Sequence, residues 1–320
     1  MTTREHAAVI VLLLALEVPL FLWARPQAAS SGQPAGAAER ATGDFKISMD
    51  VNLVVLGVAV RDHGGGSVSG LGRDCFRVYE NGRPQEIKLF EPEDVPVTIG
   101  LVVDGSGSMM PKRRETIMAA LGFLQYSNPD DEMFVVNFNE KVFLGLPPES
   151  PFTNERSQML TALMRFPPAG RTALYDAIAT GLKQLERGRR QKKILVVFSD
   201  GGDNASRASY ADVLAAAEQS NVIIYTIGLF DDQDPDRNPK VLKKLAHLTG
   251  GEAYLSREHR DLVGICKRIA HDIRSQYTIG YAPSVADGSY HSIKVTAETP
   301  DHKKLSVRTR TGYRTEPHKD

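Results

Sequence analysis

The chain has 320 residues, enough for one large or two modest domains with a buried core. Apolar residues make up 42% and charged residues 24%, so the composition is that of an ordinary globular protein and excludes a disordered or collagen-like chain. Lys+Arg and Asp+Glu both number 39, and this balance argues against nucleic acid as a partner; two cysteines, Cys75 and Cys266, exclude a disulfide scaffold or a Cys-based zinc cluster.

The chain opens with an address. Arg4 precedes an apolar stretch, Ala7 to Leu22, broken only by Glu17 and Pro19, and small residues follow from Ala28 to Ser31. A basic start, a short apolar region and small residues describe a secretory signal, and the stretch is shorter than the ~20 residues that comfortably span a bilayer. Residues 1–29 therefore read as a signal peptide or an N-terminal anchor, with export to the periplasm or the medium and no other membrane segment. Residues 30–44, rich in Ala, Gly and polar side chains, read as a linker.

Three zones follow. In 45–92, Phe45, Ile47, Met49, Val51, Leu53 and Val55 alternate with polar residues, the period of a half-buried strand. Cys75–Glu80 and Gln85–Phe90 are two more strands, joined by an Asn81-Gly82 turn. In 93–275, apolar strands alternate with helices: strands at Val97–Val103, Met133–Phe138, Lys193–Ser199, Val222–Gly228 and Glu252–Leu255; helices at Pro111–Tyr126, Asn154–Arg165, Ala173–Arg187, Tyr210–Ser220, Pro239–Leu248 and Glu258–Ser275. That rhythm predicts an α/β fold, a doubly wound, mostly parallel sheet. In 276–316 the β rhythm returns at Gln276–Tyr281, Tyr290–Ala297 and Leu305–Thr309. These strands are too short to fold alone, so they are expected to pack with 45–92 in one β-sandwich-like domain.

Ligands of open α/β sheets bind outside the carboxyl ends of the strands. The first strand of the middle zone ends in Asp104-Gly-Ser-Gly-Ser108, whose alternating Asp104, Ser106 and Ser108 offer a carboxylate and two hydroxyls, while Gly105 and Gly107 are expected to let the backbone fold closely. Gly170-Arg-Thr172 precedes one helix, and Ser199-Asp200-Gly-Gly-Asp-Asn204 follows another strand. Such hard oxygen donors suit Mg²⁺, Mn²⁺ or Ca²⁺.

These residues resemble the von Willebrand factor type A domain and its metal-ion-dependent adhesion site, D-x-S-x-S followed by a Thr and an Asp at one sheet edge. Asp104, Ser106, Ser108, Thr172 and Asp200 match that site residue by residue. The flanking segments, Asp74–Ile87 and Arg274–Tyr281, resemble a bacterial exported subfamily of such proteins. The resemblance implies a metal-binding, protein-binding or adhesion module in which a Glu or Asp of a protein partner completes the shell of a bound Mg²⁺, Mn²⁺ or Ca²⁺. Lys112, Arg113, Arg114, Arg171 and Arg207 lie beside the loops, either steering an acidic partner or forming ordinary solvated surface.

Two other functions are weighed against this one. A Mg²⁺-dependent phosphoryl-transfer hydrolase on a similar sheet would place a second acid where Ser106 stands. Neither a Gly-Lys-Ser/Thr phosphate loop nor a G-x-S-x-G elbow occurs, so no enzyme is expected. A structural exported protein with an unused metal site is the other. Asp232, Asp234, Asp236 and Asn238 mimic the start of a calcium loop, but Arg237 replaces its glycine and Lys243 its glutamate, and Asp236 and Asn238 read as helix caps. Cys75 and Cys266 are expected as separate buried thiols, and Tyr277, Tyr281 and Tyr290 as cross-strand packing residues.

Overall fold

The structure is a computed structural model that describes residues 53–165, 168–230, 235–256, 261–283 and 287–315. The expected signal or anchor, the linker, the start of the first strand and Asp232 and Asp234 of the calcium-loop mimic lie outside the described residues. Among the described residues no helix is long and apolar enough to cross a membrane.

In chain order the elements are β1 (Val54–Arg61), β2 (Phe76–Glu80), β3 (Arg83–Gln85), β4 (Leu89–Glu91), β5 (Val97–Asp104), α1 (Arg113–Gln125), β6 (Glu132–Phe138), β7 (Val142–Leu144), α2 (Arg156–Met164), α3 (Leu174–Glu186), β8 (Lys192–Ser199), α4 (Tyr210–Gln219), β9 (Val222–Leu229), α5 (Pro239–Thr249), β10 (Ala253–Ser256), α6 (Leu262–Arg274), β11 (Tyr277–Tyr281), β12 (Tyr290–Ala297), β13 (Ser306–Arg308) and β14 (Gly312–Arg314).

The middle of the chain forms one six-stranded sheet in the order β10-β9-β8-β5-β6-β7. All neighbours are parallel except β7, an antiparallel edge strand. Every residue of β5, β6 and β9 is buried, as expected of strands covered on both faces by helices. Helices α6, α1 and α2 pack side by side, and α3, α4 and α5 form the second layer. Local chemistry sets their ends: Ser209 and Asp212 form a reciprocal capping box on α4, and α5 begins with Pro239 and stops at left-handed Gly250. From β5 the chain builds outward to β6 and β7, then returns to place β8 on the other side. The order therefore reverses between β5 and β8, where their carboxyl ends leave a crevice.

The remaining strands form two four-stranded antiparallel sheets, β13-β1-β11-β4 and β14-β12-β2-β3. They share one core that includes Leu56, Val58, Phe76, Val78, Ile279 and Tyr281. Phe76, Phe90 and Tyr277 cluster with ring centroids 4.9 to 6.0 Å apart. Tyr277 spends its hydroxyl on Val68 C=O and Leu71 N–H, both at 3.0 Å. Residues 85–90, expected as one strand, instead divide: β3 pairs with β2 in one sheet and β4 with β11 in the other. The expected turn stands, with positive φ at both Asn81 and Gly82.

The sandwich meets the amino ends of the parallel strands. Asn221, just before β9, donates to Leu53 C=O. Lys192, the first residue of β8, is buried and donates to Ile273 C=O at 2.6 Å; its burial lowers its pKa to about 7. Beside it Asp272, in the last turn of α6, bonds Arg308 and the Tyr225 hydroxyl and accepts from Gln276 at 3.1 Å, with Arg61 at 3.6 Å. Arg310 completes the seam, donating to the carbonyls of Ser220 and Glu218, both at 2.7 Å.

Candidate functional site

The crevice at the opposite end of the sheet is assembled from three loops. Asp104 ends β5, and Ser106 lies two residues on, at the start of a 3₁₀ turn over Gly107–Lys112. The expected helix from Pro111 thus begins only at Arg113, because the tighter turn, closed by Met109 N–H to Ser106 C=O at 3.1 Å, comes first. Ser199 ends β8 and Asp200 follows it.

Four of the five residues named from the sequence meet here. Ser106 N–H donates to Asp104 Oδ1 at 2.9 Å, Ser106 and Ser108 hydroxyls stand 3.2 Å apart, and Ser108 Oγ donates to Asp200 Oδ2 at 2.8 Å. Asp200 Oδ1 accepts from Gly202 N–H at 2.9 Å. Thr172 is joined through its backbone: its N–H donates to Asn204 Oδ1 at 2.9 Å, and its C=O accepts from Asn204 and Ala205. The first loop is tied to the second by Gly107 N–H to Gly170 C=O at 3.1 Å and Ala169 N–H to Gly105 C=O at 2.9 Å.

Close approach is demanded at other glycines than expected. A Cβ on Gly107 would make only an ordinary contact, 3.6 Å from Gly170 C=O, and Gly105 is tighter, at 3.2 Å from Phe138 C=O. Gly201 needs glycine most, with φ +81° and a Cβ that would fall 2.3 Å from Asn238 C=O, and Gly170 in the second loop also has φ +79°.

Asp104 and Asp200 are 3% and 2% exposed. Burial first, and repulsion from Asp200 second, push the Asp104 carboxyl up to about 7, against the bonds from Ser106 and Ser199. Ser199, which sequence reasoning left without a role, donates to Asp104 Oδ2 at 2.7 Å and accepts from Gly201 N–H at 3.0 Å. Its signal was its place as the last residue of an apolar strand, directly before Asp200. Asp203 accepts from Tyr175 N–H at 2.9 Å and Ser206 Oγ at 2.5 Å, so it pins the third loop to the start of α3. Asp236 accepts from Asn204 Nδ2 at 2.8 Å; Asn238 is the residue at the start of α5 and makes no side-chain cap bond, its N–H donating to Asp200 C=O.

The basic residues beside the loops divide. Lys112, 2% exposed, turns inward and donates to Leu229 C=O at 2.8 Å, and Arg113 reaches Leu163 C=O at 3.2 Å. Arg114, Arg171 and Arg207 are exposed. Both cysteines are free, Cys266 buried and Cys75 half-buried; burial raises the Cys266 thiol to about 12. Tyr277 and Tyr281 pack in the sandwich core as expected, whereas Tyr290 is exposed. Among the described residues no group of three or more His, Cys, Asp or Glu could hold a metal ion, so any cation here would rely on hydroxyls beside two carboxylates.

The mostly parallel sheet with helices on both faces is the fold of a known family. The model of the von Willebrand factor type A domain matches residues 98–265, more than half of the chain, and the chain belongs to that family. Among solved structures it is similar to the von Willebrand factor type A protein from Catenulispora acidiphila, with 13% identity over 76% of this chain and 74% of that chain and a TM-score of 0.49. It is also similar to the manganese-loaded TRAP protein of Plasmodium vivax, at 18% identity, 74% of this chain, 97% of that chain and a TM-score of 0.45. The vWF domain of the type V pili tip protein Mfa5 from Porphyromonas gingivalis matches at 13% identity, 56% of this chain, 95% of that chain and a TM-score of 0.47.

Proposed function

We propose that the protein is an exported, metal-dependent protein-binding module. Asp104, Ser106, Ser108, Thr172 and Asp200 would hold Mg²⁺, or Mn²⁺ or Ca²⁺, and a Glu or Asp carboxylate of a protein partner would take the remaining position. The observation that carries this reading is the pair of buried carboxylates joined by Ser108, with the Asp104 carboxyl raised to about 7 by burial and by its neighbour. A divalent cation relieves both effects at once, and hard oxygen donors are what such an ion prefers. When bound, the ion supplies a point of attachment for an outside carboxylate. The chain's own residues orient and shield: Ser199 and the Ser106 amide fix Asp104, Gly202 N–H fixes Asp200, and the ties among the three loops hold the donors in place.

The reading assigns no catalytic residue, and Asp203, beside the site, is committed to Tyr175 and Ser206. It takes 93–275 as the von Willebrand factor type A domain and 45–92 with 276–316 as one β domain, supported by the pairing of β1 with β11 and of β2 with β12. It also takes residues 1–29 as signal or anchor, with the protein periplasmic or secreted. The test is calorimetric titration with Mn²⁺ of wild type and Asp104→Ala. Binding in the wild type and none in the variant is expected; equal affinities would remove the metal-site reading.

A further inference from the structure

The rim of the candidate site has two unlike sides. On one, Met110 is 59% exposed, although its neighbour Met109 is buried, and Pro111 beside it is exposed too. Both belong to the 3₁₀ turn that begins just after Ser106, so a large apolar side chain stands beside the donor loop. On the other side, Arg171 follows Gly170, whose carbonyl is bonded to Gly107 of the first loop. Arg171 is exposed, and among the described residues its guanidinium has no ion pair. Lys112, which the sequence also places beside this loop, turns away to Leu229 C=O, whereas Arg113 donates to Leu163 C=O while its Nη1 stays 3.9 Å from the position of a Cβ on Gly105. Glu140 shares that side, its Oε2 3.5 Å from the Arg171 backbone nitrogen, so the Arg171 guanidinium is, among the described residues, an unpaired positive charge set beside one acid.

We propose that the site selects a composite ligand: a protein segment whose metal-directed acidic residue has an apolar neighbour seated on Met110 and Pro111 and a second acid that faces Arg171. The proposal rests on the metal reading above and adds the identity of the flanking contacts. A carboxylate alone, coordinated to a metal, makes a small and unselective contact. Selectivity has to come from what surrounds it. Methionine is unbranched and polarizable, so it moulds to differently shaped apolar side chains and desolvates them as it does so. The arginine opposite adds attraction for acidic segments and repels basic ones.

A random peptide library displayed on phage, panned on the whole protein with Mn²⁺ and eluted with EDTA, tests this. Peptides enriched on wild type are expected to carry Asp or Glu beside an apolar residue. On Met110→Ser the acidic residue should persist and the apolar preference disappear. The best wild-type peptide should bind that variant roughly tenfold more weakly, the effect of losing one apolar contact of moderate area. Arg171→Glu should lower the acidic content of the peptides around a retained central acid. Acidic peptides with no apolar preference on wild type, or the same preference on Met110→Ser, would overturn the proposal and leave the metal reading standing. Enrichment that ignores EDTA or lacks an acid, or no enrichment, would sink both. Met110 and Arg171 are exposed, and unchanged circular dichroism is the expected control.

Discussion

Two carboxylates lie buried at opposite ends of the parallel sheet, Asp104 at the carboxyl end of β5 and Asp272 in the last turn of α6 beside the sandwich. Burial alone would raise the pKa of each. At Asp272 that effect is outweighed by Arg308, with help from the Tyr225 hydroxyl and Arg61, and the carboxyl is held below its ordinary value. At Asp104 the hydrogen-bond donors, Ser106 N–H and Ser199 Oγ, are neutral, and the nearby charge is another carboxylate. One end of the sheet carries its own counter-charges and is closed; the other is short of positive charge and opens at the switch point. The first arrangement joins two parts of a fold, and the second suits an external cation.

The largest expected loss of stability comes at the closed end. Asp272→Ala leaves half-buried Arg308 with Glu252, 3.9 Å away, as its only ion-pair partner among the described residues, and removes the acceptor of the Tyr225 hydroxyl, so thermal unfolding should report a loss of about 3 kcal/mol. The open end should respond in the opposite sense. Asp104→Asn in EDTA at pH 8 keeps the shape and removes a charge that burial disfavours. The metal-free protein should become more stable, by up to roughly 4 kcal/mol from the displacement of its pKa. An unchanged or lower melting temperature would contradict the electrostatic picture.

Proton linkage separates the two ends. Because the folded pKa of Asp104 is raised to about 7, the metal-free folded state holds a proton there that the unfolded chain has released above about 4. Its contribution therefore weakens as pH rises from about 4 to about 7 and is flat above. Asp272, with its pKa lowered, contributes stability that is present above about 4 and lost as pH falls through its folded value. The difference in melting temperature between wild type and Asp104→Asn should open between these pH values and stay constant above 7. The smallest effect sharpens the role of Ser199: Ser199→Ala removes donors and acceptors shared by Asp104 and Gly201 and should lower stability by about 1 kcal/mol, read by urea titration.

Much of this contrast lay unevenly in the sequence. The run Val97–Val103 announced a strand buried on both faces, and spacing brought Asp104, Ser106 and Ser108 onto one loop; with Asp200 they do meet. Strand and helix rhythms survive in sequence because each is local. Asp272 carried no such signal: its partners come from β9, β13 and the segment after α6, and no pattern along the chain links them. β7 and β14, three residues each, are too short to show a period, and the division of 85–90 between two sheets depends on pairings with strands that lie late in the chain. The inward turn of Lys112 was hidden because a lysine in a loop defaults to solvent, and only the folded chain brings the carboxyl end of β9 to it, with a buried carbonyl to meet.

The pairing of β4 with β11 and of β2 with β12 has a consequence for how the chain acquires its shape. Synthesis runs from the amino end, so β1, β2 and β4 emerge long before their partners β11 and β12 exist. The whole α/β unit, whose contacts are closer in sequence, can collapse in the interval. Its first and last segments already stand together, Asp94 N–H donating to Arg274 C=O at 2.8 Å. Once that bond forms, β11 emerges beside the waiting strands and the long loop is closed before the sandwich zips. The order of assembly is thus written into the topology: the middle of the chain first, its two ends last, with the waiting edges of β1 and β2 the surfaces most exposed to mispairing.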